Sequence, residues 1–255
     1  MALLHVDFFS DVLGMCMQMD VILPEKTRGQ IGMEGKKTAG KTKTLYLLHG
    51  MSDDHTIWQR RTSIERYAAE KGIAVVMPTT HLGWYTDMHI GYDYFTFITE
   101  ELPAICRNFF PMMSDKREDN FVAGLSMGGY GAMKCGLRAN HVFSKCASLS
   151  GAVDIASTRQ RHNHNWKRIT GGKSIKGTEN DLFHMLKVNA EAPHKPRLYV
   201  SCGTADFLYG QHKKFIPALK KAGWDVTAYE EPDATHEWGF WDQEIRKFIE
   251  FCFEE

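Results

Sequence analysis

The chain of 255 residues is 43% hydrophobic and carries 31 basic against 31 acidic side chains. Its length suits one globular domain with a sizeable core, and its balanced charge excludes bulk steering toward nucleic acid or an acidic membrane surface. The opening MALLHVDFFSDVLG lacks the basic start and long apolar run of a signal peptide, and no stretch approaches the roughly 18 uninterrupted apolar residues of a membrane-spanning helix.

In chain order, Leu3 to Phe9 and Met15 to Leu23 read as two strands able to pair as a hairpin. Glu25 to Thr44 is polar, glycine-rich and basic, an exposed loop. From there short apolar runs alternate with longer amphipathic stretches. Strand Thr44 to Leu48 precedes a helix near Ile57 to Lys71, strand Ala74 to Met77 a helix near Tyr92 to Phe110, and strand Asn120 to Gly124 a helix from Met127 to Arg138. Strand Lys145 to Leu149 runs into a polar insertion, Thr158 to Asn180. Strand Arg197 to Ser201 precedes a helix from Leu208 to Ala222, and strand Asp225 to Glu230 a helix from Glu237 to Phe253. This alternation predicts a single α/β domain over residues 1–255, its mainly parallel sheet covered by helices on both faces, with the insertion at about 154–180 placed as a cap or lid. No repeat or interdomain linker interrupts it. Ligands of such sheets bind at the carboxyl ends of the strands, which directs the search to the loops there.

The junction of the fifth strand and its helix reads Gly124-Leu125-Ser126-Met127-Gly128, the Gly-x-Ser-x-Gly pattern of a nucleophile elbow. A serine hydroxyl needs a base to take its proton and an acid to orient that base, in the chain order Ser, acid, His, each on a loop after a strand. Of the 12 histidines, His236 follows the last strand, and Asp206 follows RLYVSCG, so Ser126, Asp206 and His236 are the expected nucleophile, acid and base. Asp154, after the preceding strand, is the rival acid, whereas Asp233 lies too close to His236 and reads as a turn residue. The oxyanion donors are expected from the backbone N–H of Met127 and of Met51, with His49 beside the latter as a structural residue. Aromatic and apolar residues on the same loops, Trp84, Tyr85, Phe207, Leu208 and Trp238, are the candidate substrate pocket. His162 with His164, and Asp53 to His55, are weak metal patterns read as solvated, so no metal is expected. The six cysteines, Cys16, Cys106, Cys135, Cys146, Cys202 and Cys252, are scattered without CxxC spacing and read as reduced thiols of a cytoplasmic protein. A secreted protein with its leader removed would look the same.

At YLLHGMSDDHTIW, WYTDM, GLSMGGYGAMK, SLSGAVDI, CGTADFLY and THEWGFWD, the chain resembles the esterase D branch of the α/β hydrolases, and most closely the bacterial tributyrin esterases. The resemblance implies an α/β-hydrolase fold and a serine carboxylesterase acting on short acyl esters of small molecules, without metal or organic cofactor, and often as a homo-oligomer. Feruloyl and acetylxylan esterases of the same branch are the alternative. S-formylglutathione hydrolases are expected to match less well, because their oxyanion and acid loops differ from LLHGMSDDH and GTADFLY. A hydrolase fold retained only as a binding scaffold is the reading from another class.

Overall fold

A computed structural model describes residues 1–29, 31, 35–36, 40–157 and 164–254. Eight strands form one sheet in the order β1-β2-β4-β3-β5-β6-β7-β8. β1 (Ala2–Ser10) and β2 (Met15–Leu23) form an antiparallel hairpin, and β2 also runs antiparallel to β4 (Ala74–Pro78). β3 (Thr44–Leu48), β5 (Asn120–Leu125), β6 (Lys145–Leu149), β7 (Arg197–Gly203) and β8 (Val226–Glu231) complete a parallel body. This is the α/β-hydrolase arrangement that the sequence predicts.

The central strands are apolar on both faces because both faces are covered. Every residue of β3, β4, β5 and β6 is buried. Alternate side chains of one strand enter opposite cores: Tyr46 and Leu48 pack on one side, Leu45 and Leu47 on the other. β8, at the edge, ends in Glu230 and Glu231 and leaves much of its surface to water, which suits an unpaired edge.

Two predicted helices differ from expectation. The stretch Ile57 to Lys71 is two helices, α1 (Ile57–Arg61) and α2 (Ile64–Lys71). Thr62 between them is extended and its hydroxyl donates to the Trp58 carbonyl, while the Ser63 N–H donates to Asp242. The stretch Tyr92 to Phe110 begins as α3 (Tyr94–Thr96), loosens into a π-helical turn over Phe97–Glu101 and continues as α4 (Leu102–Phe109). Pro103 explains the loosening, since it has no N–H for the Thr99 carbonyl and its ring displaces that carbonyl.

α5 (Met127–Arg138) follows β5 directly. The polar insertion holds α6 (His164–Thr170) and leads into α7 (Leu182–Val188). Asp181 caps α7, its carboxylate accepting from the N–H groups of Phe183 and His184. This cap before Leu182, Met185 and Leu186 is a helix signal in the sequence that composition alone hides. α8 (Tyr209–Lys221) and α9 (Trp238–Phe251) close the chain. Among the described residues no helix is long and apolar enough to cross a membrane.

Candidate active site

Ser126 sits at the end of β5 with φ 52° and ψ −114°, a conformation that side chains rarely adopt and that persists only where the surroundings impose it. Its N–H donates to the Leu149 carbonyl of β6, and its own carbonyl accepts from Tyr130 and Ala152. The flanking glycines are required by contact. A Cβ on Gly124 would fall 2.4 Å from the Gly128 backbone, and one on Gly128 would fall 2.5 Å from the Leu48 carbonyl and 2.6 Å from that of His49. The elbow helix therefore rests against the end of β3, whose loop carries the second expected oxyanion donor.

Asp206 follows β7 and His236 follows β8, and the sheet brings them together. His236 Nδ1 lies 2.8 Å from Asp206 Oδ2, while Asp206 Oδ1 accepts the Leu208 N–H at 2.8 Å. The Asp206 side chain has no exposed surface and that of His236 has 18%. Burial alone would raise the Asp206 pKa, but the bonds from His236 and Leu208 and the neighbouring Ser150 hydroxyl outweigh it and hold it below the ordinary carboxylate value. Ser150 Oγ faces this carboxylate without a hydrogen bond of full geometry. With Nδ1 committed to Asp206, the other ring nitrogen is the one available for proton exchange. The rival Asp154 has a different setting: its N–H donates to Gln211 and its carboxylate accepts from the Ser157 N–H. Asp233 has φ 59° and its N–H donates to Thr204, as a turn residue does.

The Met127 N–H opens α5, where a helix has no internal acceptor for it. Met51 lies on the loop after β3, its side chain 52% exposed. His49 anchors this loop from inside the fold: Nδ1 donates to the Gly50 carbonyl at 2.7 Å, and Nε2 accepts the Thr80 N–H at 2.9 Å. Burial pushes its imidazole down to about 4, despite the Gly50 carbonyl, so the ring is neutral and structural.

The five pocket candidates occupy different environments. Phe207 is 77% exposed, and its ring lies tilted against that of His236 at 4.6 Å. Leu208 is largely buried, and Trp238 is half-buried between Trp58 and Trp241. Trp84 is buried against Tyr130 and Trp166, the latter on α6. Tyr85 has no exposed surface, and its hydroxyl donates to the His49 carbonyl, so it supports the loop after β3 from behind. Both Trp84 and Tyr85 have positive φ, as does His81.

Sequence reasoning passed over two buried ionisable residues beside the site. His212 on α8 has no exposed surface, and its Nε2 donates to the Gly151 carbonyl at 2.9 Å, close to Ser150 and Asp206. Lys134, on the third turn of α5, is fully buried and donates to the Tyr85 carbonyl at 3.1 Å and to Asn180 Oδ1 at 2.6 Å. Burial, with Arg138 nearby, draws its ammonium down to about 7. Neither residue carries a motif; a polar residue at a core-facing position of an amphipathic helix was the available signal.

Of the weak metal patterns, Asp54 turns to Thr56 and His55 to Thr79, whereas residues 158–163, His162 included, and the His164 side chain lie outside the described parts. Among the described residues no three His, Cys, Asp or Glu side chains are grouped to hold a metal ion.

Comparison with known proteins places this geometry in a family. Residues 10–249 match the family described as Putative esterase. An acetyl esterase of Caldicellulosiruptor saccharolyticus is 30% identical over 269 residues, 98% of each chain. The substrate-bound fluorophosphonate-binding serine hydrolase F of Staphylococcus aureus is 35% identical with a TM-score of 0.88, over 100% of this chain and 99% of that one. An S-formylglutathione hydrolase of the same organism, without ligand, is 35% identical with a TM-score of 0.85, over 99% of each. The expectation of a poorer match to S-formylglutathione hydrolases thus does not extend to that enzyme, which is alike over nearly the whole chain. The chain belongs to the Putative esterase family and is a carboxylic ester hydrolase.

Proposed function

We propose that the enzyme hydrolyses short acyl esters through Ser126, His236 and Asp206. His236 takes the Ser126 proton as Oγ attacks the ester carbonyl, and the N–H groups of Met127 and Met51 receive the oxyanion. Collapse releases the alcohol, which takes the proton from His236. Water, deprotonated by His236, then frees the acid and restores the serine. Asp206 keeps Nδ1 protonated throughout and stabilises the imidazolium. The observation that carries this reading is the 2.8 Å bond between His236 and a buried carboxylate, on loops that follow the carboxyl ends of strands parallel to the one that ends at the strained Ser126.

Trp84, Leu208, Trp238 and the exposed ring of Phe207 are the apolar surfaces for the acyl or alcohol group, and the insertion at about 154–180 acts as the cap. A short acyl chain fits the name of the acetyl esterase relative. A second reading, hydrolysis of a thioester such as S-formylglutathione by the same steps, is favoured by the whole-length likeness to the Staphylococcus aureus enzyme of that name.

Kinetics on p-nitrophenyl acetate, butyrate and octanoate beside S-formylglutathione separate the two. The ester reading expects the highest kcat/KM on the shortest oxygen esters; dominance of the thioester moves the conclusion to the second reading. Ser126→Ala should lower kcat by on the order of a million-fold on either substrate, and a fluorophosphonate should label Ser126 alone. A loss of less than about tenfold in a folded protein contradicts the mechanism.

A further inference from the structure

Between α6 and the loop after β4 lies a cleft of about 400 Å³ that the mechanism does not use. Its volume falls within the range of small-molecule sites. Leu82, 41% exposed, and Met88 give it apolar walls, while Arg168, Tyr92, Tyr94 and His81 bring polar groups. Arg168 is exposed, no carboxylate lines the cleft, and no described carboxylate pairs with this guanidinium. His81 Nδ1 is 3.0 Å from Tyr94 Oη, and the Tyr92 and Tyr94 rings meet edge-on at 5.9 Å, so these three rings are held against one another. Burial raises the Tyr94 pKa to about 12, leaving its hydroxyl protonated.

The wall on the loop side is built with little slack. A Cβ on Gly83 would fall 2.0 Å from the Tyr94 ring, and His81 has φ 49°. On the α6 side, the His89 and Ile90 N–H groups donate to the Ile169 and Arg168 carbonyls. Trp84, next to Gly83, packs on Tyr130 in the first turn after Ser126, and Trp166, two residues before Arg168, packs on Trp84 at 4.9 Å. An aromatic layer thus lies between the cleft and the elbow, and an ester that reaches both must pass over it. An apolar trough with one unneutralised guanidinium beside phenol hydroxyls matches an alkyl chain that ends in a carboxylate.

We propose that this cleft holds the remote carboxylate of an elongated ester, so that the enzyme accepts half-esters of dicarboxylic acids. The proposal rests on Ser126 being the nucleophile, and its test separates the two ideas. Mono-p-nitrophenyl adipate, suberate and sebacate are each compared with the corresponding methyl-capped diester, in the wild type and in Arg168→Gln. At the chain length that spans the distance, the free acid should be preferred over its capped form by about tenfold in kcat/KM, as for one charge-assisted bond, and the preference should vanish in Arg168→Gln and return in part in Arg168→Lys. Capped esters preferred at every length, or a preference that survives Arg168→Gln, overturns it. Calorimetric titration of monomethyl suberate into Ser126→Ala, with and without Arg168→Gln, reads the cleft without turnover. Binding that depends on Arg168 supports the site even if another residue proves to be the nucleophile, and equal or absent binding rejects it.

Discussion

Asp206 grips His236 with one carboxylate oxygen and the Leu208 N–H with the other, each at 2.8 Å. The carboxylate is therefore fixed by the backbone two residues on as well as by the imidazole. Asp206→Asn should keep the fold but present an amide that permits the wrong tautomer, lowering kcat by about ten-thousand-fold, as in other triads. Asp154→Asn should cost far less, because the bond to His236 Nδ1 is made by Asp206. Kinetics on p-nitrophenyl butyrate with circular dichroism of each variant checks both; the reverse ranking would move the acid to Asp154.

The bounds of β2, β3, β6 and α5 coincide with those read from the sequence. These elements are set by local pattern: continuous apolar runs flanked by turn residues, and a glycine-rich helix start. The loops that carry Ser126, Asp206 and His236 were legible for the same reason, since each follows a strand that reads clearly. Long-range partners were not. The break at Thr62 depends on Asp242, far along the chain, and the burial of Lys134 depends on Asn180 in an insertion of mostly polar composition. The roles of Trp84 and Tyr85 also depend on tertiary contacts, with Trp166 and with the His49 carbonyl, that no local window contains.

At Gly128 any side chain must displace the backbone of Leu48 and His49, which lead into the loop proposed to hold the oxyanion. Gly128→Ala is expected to destabilise the fold by about 1–3 kcal/mol, the usual range for overpacking, and to lower kcat more than it raises KM, because the shift falls on a group that acts in the transition state. Urea unfolding with steady-state kinetics would detect both effects. An alanine variant of full activity would mean that the loop can move away without loss.

Stability should fall under mild acid because two buried imidazoles resist protonation. Burial holds His49 and His212 down at about 4, against roughly 6.5 for histidine in an unfolded chain. Between those values the unfolded chain binds protons that the folded chain refuses, so unfolding gains as pH drops, by up to about 1.4 kcal/mol per pH unit for each residue. The stability is fully present above roughly 6.5 and levels off below about 4 for these two groups. Asp206 acts lower, its contribution being lost as pH falls through its depressed folded value. His212 faces Asp206, Glu230 and His236 as well as the Gly151 carbonyl. His212→Gln, which can retain a donor to that carbonyl, should reduce the slope of unfolding free energy between pH 6 and 4.5 by nearly one proton; an unchanged slope contradicts the assignment.

Lys134 joins three segments around the elbow helix. Its ammonium donates to the Tyr85 carbonyl and to Asn180 Oδ1, and it lies 4.7 Å from the centre of the Phe95 ring, while the Tyr130 hydroxyl donates to the Asn180 carbonyl. Removing the donor leaves two buried acceptors without a partner, at about 1–3 kcal/mol each, offset in part because the buried charge also disappears. Lys134→Met should therefore destabilise the fold by about 1–3 kcal/mol and raise KM, since Tyr85 adjoins Trp84 on the loop that borders the acyl surface. Asn180→Leu removes one acceptor, and in the double variant the two costs should overlap rather than add. A cycle of urea denaturation on the wild type, both single variants and the double variant measures that overlap. Strict additivity would show that the 2.6 Å contact contributes nothing to the fold, and an unchanged KM in Lys134→Met would show that the clamp is confined to the core.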